Sequence, residues 1–157
     1  MTETPSPSKK YVLGFAFSED KSKLVLIRKN RPEWQKGKLN GVGGKIEDYD
    51  ADAYAAMCRE FKEEAGIETT AQDWNHYVTL NGDYGFVIIF CAFSDRFMQA
   101  RTQSDEAVEI IDLDDRAVRT GFVSNLGWLI EIALDENQSE FFVHVDYRKD
   151  FAAARGV

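Results

Sequence analysis

Residues 50–67 read DADAYAAMCREFKEEAGI, and their spacing predicts one helix with two very different faces. Asp50 or Asp52 is placed to act as N-cap, Asp52 to Ala65 has helical composition, and Gly66 stands where a C′ glycine stops a helix. At about 100° per residue with Ala53 as zero, Glu60 falls near −20°, Glu64 near +20° and Glu63 near −80°. Three carboxylates therefore share one arc. Met57, Phe61, Tyr54 and Cys58 fall between about +40° and +140°, forming the stripe that packs on a core, while Lys62 points away. Acidic helices are mostly solvated faces, but this placement is costly. Glu60 and Glu64 are like charges at i and i+4, and acids near a helix C-terminus oppose the macrodipole. Arg59 is the only residue positioned to pair with Glu63 within the helix. The surplus of hard oxygen ligands at a burial boundary suits a divalent cation.

Immediately upstream, residues 32–44 (PEWQKGKLNGVGG) hold four glycines and one proline in thirteen positions. That density predicts a working loop rather than a helix or a regular strand. Gly43 and Gly44 let backbone groups approach a metal or phosphate closely, so loop and helix form one expected site.

Further outward, Tyr11 to Phe17 and Leu24 to Ile27 are expected strands, followed by the basic stretch Arg28, Lys29, Asn30, Arg31. Tyr77 to Leu80, Gly85 to Phe93, Ala107 to Leu113 and Phe141 to Tyr147 are further strands, with Gly85 to Phe93 apolar enough to be buried on both faces. A second helix over about Asn125 to Leu134 lines up Leu126, Leu129, Ile130, Ala133 and Leu134, and leaves Trp128 as a packing residue. Strands on both sides of a central helix with a second helix late in the chain indicate an α/β fold, a mixed sheet between helices. Residues 1–10 read as a flexible tail without a secretory h-region, and 11–157 as one domain.

The chain of 157 residues is long enough to bury roughly 68–70% of its unfolded surface without staples. No apolar run approaches the roughly 20 residues of a membrane span. Cys58 and Cys91 lie in apolar segments, as reduced cytosolic thiols do, and a cytoplasmic location is expected. His76 and His144 lack ligand spacing, which argues against a histidine zinc site or a triad. The net charge of −8 disfavours long nucleic acids and acidic membranes, and points to a small ligand whose phosphates are met through metal.

The segment Arg59-Glu60-Phe61-Lys62-Glu63-Glu64-Ala65-Gly66-Ile67 matches REUXEEXGU, the second half of the signature GX5EX7REUXEEXGU, where U is bulky and apolar; the chain therefore resembles the Nudix hydrolases. In the first half, counted from Gly44, the sixth residue is Asp50 instead of glutamate, and eight residues separate it from Arg59. The resemblance implies a Nudix-type α/β/α sandwich with a mixed β-sheet. It implies that Glu60, Glu63 and Glu64, with the Gly44 carbonyl, hold Mg2+, for which Mn2+ is a possible substitute, and that Arg59 fixes their geometry. The acid that orients this arginine in the family has two candidates here, Asp50 and Asp52. The family's general base is a signature glutamate or an acid from a later loop, and Glu106 in Ser104-Asp105-Glu106 is the leading external candidate; its alternative is a solvated turn.

The implied reaction is hydrolysis of the pyrophosphate linkage of a nucleoside diphosphate derivative, with a nucleoside triphosphate yielding monophosphate and pyrophosphate. ADP-ribose, dinucleoside polyphosphates and nucleotide sugars are alternatives, as is a non-catalytic nucleotide-sensing domain. Leu39-Asn40-Gly41, Ser104-Asp105-Glu106 and Trp128 further resemble the branch of the family that acts on oxidised purine nucleoside triphosphates. On that basis Asn40 is a candidate for base recognition, or else a turn asparagine, although paired aspartates of that branch are replaced by Ser124 and Asn125. Arg28, Lys29, Arg31 and Lys45 are candidates to meet phosphate or sugar. Trp34 is a candidate either to stack on a base or to cap the core. The expected partner is a small nucleotide, with the protein a monomer or homodimer.

Overall fold

A computed structural model describes residues 9–82, 85–137 and 141–144. In chain order the elements are β1 (Lys10–Phe17), β2 (Lys23–Arg28), β3 (Leu39–Asn40), β4 (Val42–Lys45), α1 (Ala53–Ala65), β5 (Asn75–Gly82), β6 (Gly85–Phe93), β7 (Ala107–Asp112), α2 (Leu126–Leu134) and β8 (Phe141–His144). The strands form one mixed sheet in the order β3-β2-β1-β6-β5-β8, with β4 also paired to β1 and β7 to β2. The β1·β6 and β5·β8 pairs are parallel and the others antiparallel. The expected tail over residues 1–10 is described only from Lys9, and Lys10 already belongs to β1. Residues 145–147 of the expected last strand lie outside the described residues.

Period-two alternation along β1 divides the core into two layers. Phe15 and Phe17 face α2 and join Leu129, Ile130 and Tyr77. Val12 and Ala16 face α1 and join Met57, Phe61, Trp74 and Phe90. The sheet is thus sandwiched between α1 and α2, the expected architecture. Gly14 of β1 packs directly under α1, where a Cβ would sit 2.6 Å from the end of the Met57 side chain. Phe61 anchors the layer by edge contacts with Trp74 and Phe97, and full burial of such a side chain contributes about 1.5–3 kcal/mol. On the other face the buried Tyr77 hydroxyl donates to the Leu129 carbonyl at 2.9 Å, tying β5 to α2.

The loop expected over residues 32–44 requires correction. It contains a 3-10 turn at Glu33–Gln35 and the two short strands β3 and β4. Leu39 and Val42 are fully buried, which draws the chain onto the sheet. Gly43 then serves close packing: a Cβ there would lie 2.0 Å from the Val12 carbonyl oxygen of the paired strand. The glycine that read as part of a working loop, Gly43, is what allows β4 to lie flat against β1.

Helix α1 begins at Asp52, whose carboxylate accepts from the Ala55 amide at 2.8 Å, and ends at Gly66 with φ of 76°. Its buried positions are Ala56, Met57, Glu60, Phe61 and Ala65. One carboxylate therefore belongs to the buried face, consistent with acids at a burial boundary.

Candidate active site

Arg59 is the hub of the site, and Asp50 is the acid that holds it. The Arg59 Nε and Nη2 donate to the two oxygens of Asp50, each at 2.9 Å. Asp50 also accepts from the Glu47 amide at 2.9 Å. Arg59 Nη1 reaches Glu60 at 3.0 Å and Glu63 at 3.3 Å, and Nη2 reaches the Lys45 carbonyl at 3.1 Å. Tyr49 lies over the guanidinium at 5.4 Å. The extra residue before Arg59 is absorbed in the turn ahead of α1, so that Asp50 meets the arginine while Asp52 caps the helix. The hydrogen bonds from Arg59 hold the Asp50 carboxyl below the usual carboxylate range.

The three glutamates occupy graded environments. Glu63 is exposed, Glu64 is half-buried and Glu60 is buried at 9% exposure. Burial raises Glu60 despite its bond to Arg59. Burial and then the charge of Glu60 push Glu64 up to about 7, with Lys29 and the Gly43 amide opposing and Glu106 adding to the rise. The protein thus gathers more negative charge here than its own cations neutralise.

Gly44 on β4 sits directly against this charge, since a Cβ there would meet Glu60 Oε1 at 2.5 Å. The contact is with the end of a flexible side chain, so Gly44→Ala moves the Glu60 carboxylate instead of the backbone. We expect this variant to keep its melting temperature within a few degrees while losing about 100-fold in turnover, as misplacement of a site group by about 1 Å does. Turnover and thermal melts of the purified variant check it.

Glu106 occupies a buried site at 4% exposure, not a solvated turn. Its Oε1 accepts from Lys29 Nζ at 3.0 Å and its Oε2 from the amides of Asn30 at 2.6 Å and Arg31 at 3.3 Å. Arg31 also pairs with Asp105, whose backbone carbonyl accepts from the Asn30 side chain. Although burial raises it, these hydrogen bonds and the Lys29 charge leave the Glu106 carboxyl below its ordinary value.

A cavity of 780 Å³ is lined by Gly43 and Gly44, the latter set against Glu60. Gly43, Gly44, Lys45, Lys29 and Arg31 form one part of its lining, and Leu13, Leu80, Val87, Ser124 and Asn125 another, with Trp34, Gln35 and Asn40 also on its wall. Asn40, at the end of β3, borders the cavity; its oxygen accepts from the Gly41 amide at 2.8 Å and its amide nitrogen donates to Gln35 at 3.0 Å. Trp34 is 62% exposed and caps no core. Arg28 stands apart from this lining: it forms a two-point pair with Glu109 at 2.7 and 2.8 Å and donates to the Gly37 carbonyl at 3.0 Å. The sheet floor of Leu13, Leu80 and Val87 escaped the sequence reading. Their apolar alternation marks them as strand residues, but only the mixed sheet order brings them to one place.

The donor set fits a hard divalent cation. Glu60, Glu63 and Glu64 supply carboxylate oxygens, burial and then the Glu60 charge raise Glu64, and the missing Cβ of Gly44 leaves the approach to Glu60 open. Among the described residues no three acidic, histidine or cysteine side chains converge on a single point; Arg59 holds one oxygen each of Glu60 and Glu63.

Fold and site together define a chain whose glycine strand, arginine hub and acidic helix form one unit. Residues 8–124 match the NUDIX domain family model, and the chain belongs to the Nudix family. None of the curated proteins matches it by sequence. Among solved structures, the chain is similar to MutT from Aliivibrio salmonicida and Vibrio cholerae, with 20% identity, 78% of this chain and 92% of that one covered, and a TM-score of 0.60. It is similar to the NUDIX domain of Shewanella oneidensis NrtR in complex with ADP ribose, with 16% identity, coverage of 82% and 90%, and a TM-score of 0.67. A bifunctional NMN adenylyltransferase/ADP ribose pyrophosphatase from Francisella tularensis, complexed with AMP and a manganese ion, shows 18% identity and a TM-score of 0.64 over 85% of this chain but only 43% of its own. At these identities the likeness is one of fold. No helix among the described residues is long and apolar enough to cross a membrane.

Proposed function

We propose that this protein is a divalent-metal-dependent hydrolase of the pyrophosphate linkage in nucleoside diphosphate derivatives, with a nucleoside triphosphate as substrate and nucleoside monophosphate and pyrophosphate as products. The observation that carries the reading is the Asp50–Arg59–Glu60/Glu63 web set against Gly44, which lines a cavity of 780 Å³. Glu60, Glu63, Glu64 and the Gly44 carbonyl would hold Mg2+ or Mn2+. When bound, the ion would neutralise phosphate oxygens and supply a polarised water for attack.

The chain's own groups do the rest. Arg59 fixes the orientation of Glu60 and Glu63 and is itself locked by Asp50, so little reorganisation accompanies catalysis. Lys29, Arg31 and Lys45 present positive charge to the phosphate chain from the cavity wall. The apolar floor of Leu13, Leu80 and Val87 accepts the flat face of a base, and Asn40, Ser124 and Asn125 offer neutral hydrogen-bonding groups to its edge. A neutral edge favours ordinary bases over a substrate that requires paired carboxylates.

ADP-ribose is the second reading, supported by the Shewanella domain bound to that ligand and the Francisella pyrophosphatase domain. Product analysis with Mg2+ across nucleoside triphosphates, oxidised purine triphosphates, ADP-ribose and dinucleoside polyphosphates separates the two. Monophosphate and pyrophosphate from a triphosphate support the first; preferential AMP and ribose phosphate from ADP-ribose replace it with the second. A related expectation concerns stability. Mg2+ binding to the folded state alone raises stability by RT ln(1 + [Mg2+]/Kd), about 2.7 kcal/mol at 100 times Kd, so melting temperature should rise with Mg2+ and return to baseline with EDTA. A melting temperature insensitive to millimolar Mg2+ would contradict metal binding at this site.

A further inference from the structure

The clasp between residues 104–106 and the segment after β2 assigns work to Glu106 that differs from proton abstraction. We infer that Glu106 is a positioning residue, which through its bonds to Lys29, Asn30 and Arg31 fixes the wall of the cavity that receives the substrate's phosphate chain. The inference rests on the nucleotide-hydrolase reading above and deepens it.

Four observations support it. Both Glu106 oxygens are engaged, one by Lys29 Nζ at 3.0 Å and the other by two consecutive backbone amides at 2.6 and 3.3 Å. Two adjacent amides on one carboxylate oxygen fix the direction of the chain at Asn30 and Arg31, as no single side-chain contact does. At 4% exposure the carboxylate has little room for an attacking water, which a general base must meet within hydrogen-bond reach. The neighbouring contacts reinforce the same segment: Asn30 donates to the Asp105 carbonyl and Arg31 pairs with the Asp105 carboxylate. Ser104 Oγ in turn accepts from the Glu106 amide at 3.2 Å, bracing the clasp from its own side.

What the clasp holds is a stretch of cavity lining whose two cations, Lys29 and Arg31, are paired with Glu106 and Asp105. Lys29 and Arg31 border the cavity directly, and Pro32, Trp34 and Gln35 continue the same wall. Lys29 is only 17% exposed at its side chain, so its ammonium is kept near the glutamates by Glu106 rather than by solvent. Without the acid, two amides and an ammonium lose their acceptor together and the segment at Lys29–Arg31 is no longer fixed.

The test is a split of kinetic constants. Glu106→Gln keeps one carbonyl oxygen for the amides, and Glu106→Ala keeps none. With Mg2+ and the preferred nucleotide, positioning predicts KM raised about tenfold in Glu106→Gln and further in Glu106→Ala. It also predicts kcat within a few-fold of wild type in Glu106→Gln and an unchanged shape of the kcat–pH profile. A general base predicts instead a kcat loss on the order of 10²–10⁴-fold with KM unchanged and the acidic limb of the profile abolished, which would overturn the inference. A purely structural role predicts a lower melting temperature with normal kcat and KM per folded molecule, and also overturns it. Should Glu106→Ala fail to fold, calorimetry of a non-hydrolysable α,β-methylene nucleoside triphosphate with Glu106→Gln decides the matter: weakened binding supports the inference and wild-type affinity refutes it. Unchanged KM in an active protein defeats this inference alone. A wild type that neither turns over nor binds any nucleotide defeats the functional reading and the inference with it.

Discussion

Glu64→Gln should reduce turnover by about 10³-fold, the scale seen when one preorganised charge at a reacting centre is lost, while the fold stays intact. The amide is isosteric, so α1 keeps its packing against Phe90 and Trp74. It also removes a carboxylate that the half-buried site holds beside Glu60 and Glu106. Relief of that repulsion predicts a melting temperature in metal-free buffer equal to or above that of the wild type. The Mg2+-dependent rise in melting temperature should shrink in the same variant. Kinetics paired with thermal melts at matched Mg2+ check both halves; loss of activity accompanied by unfolding would assign Glu64 a structural role instead.

Asp50→Asn and Asp52→Ala should separate two acids that stand two residues apart. Asp50 is 4% exposed at its side chain and holds Arg59 at 19% through two bonds of 2.9 Å. Removing the main acceptor of Arg59 from this half-buried pair should cost about 2 kcal/mol in Asp50→Asn. That corresponds to a fall in melting temperature of about 4–8 °C for a chain of this size. Because Arg59 then releases Glu60 and Glu63, turnover should fall about 100-fold as well. Asp52→Ala removes only a cap and should cost about 1 kcal/mol with near-normal kcat. The pH dependence follows in sign: the folded carboxyl of Asp50 lies below its usual range, so its contribution is present at neutral pH and is lost as pH falls through the folded value. Equal effects of the two substitutions on kcat would contradict the division of labour.

Much of this architecture is legible in the sequence because helical periodicity in α1 and apolar alternation in β1 and β6 report burial directly. The acidic arc on α1 is local geometry, and it appears in the structure with Glu60 more buried than its neighbours. Three features required the fold. The division between Asp50 and Asp52 depends on the turn before α1, where an added residue changes which carboxylate faces Arg59, and spacing alone does not encode that direction. The glycines at 43 and 44 read as part of a loop, and only their pairing with Val12 and Leu13 places them in a close-packed strand. Basic residues 28, 29 and 31 look alike in sequence, but partners supplied from β7 and the turn before it separate them: Glu109 takes Arg28, whereas Glu106 holds Lys29 at the cavity. Such long-range partners leave no local periodic signal.

The decisive measurement is pyrophosphate release from a nucleoside triphosphate, followed against Mg2+ concentration for wild type and Glu64→Gln. Metal-assisted hydrolysis at α1 predicts turnover that saturates with Mg2+, vanishes with EDTA and is nearly lost in the variant. Turnover unaffected by EDTA, or equal in the two proteins, would contradict metal-assisted hydrolysis at the α1 glutamates.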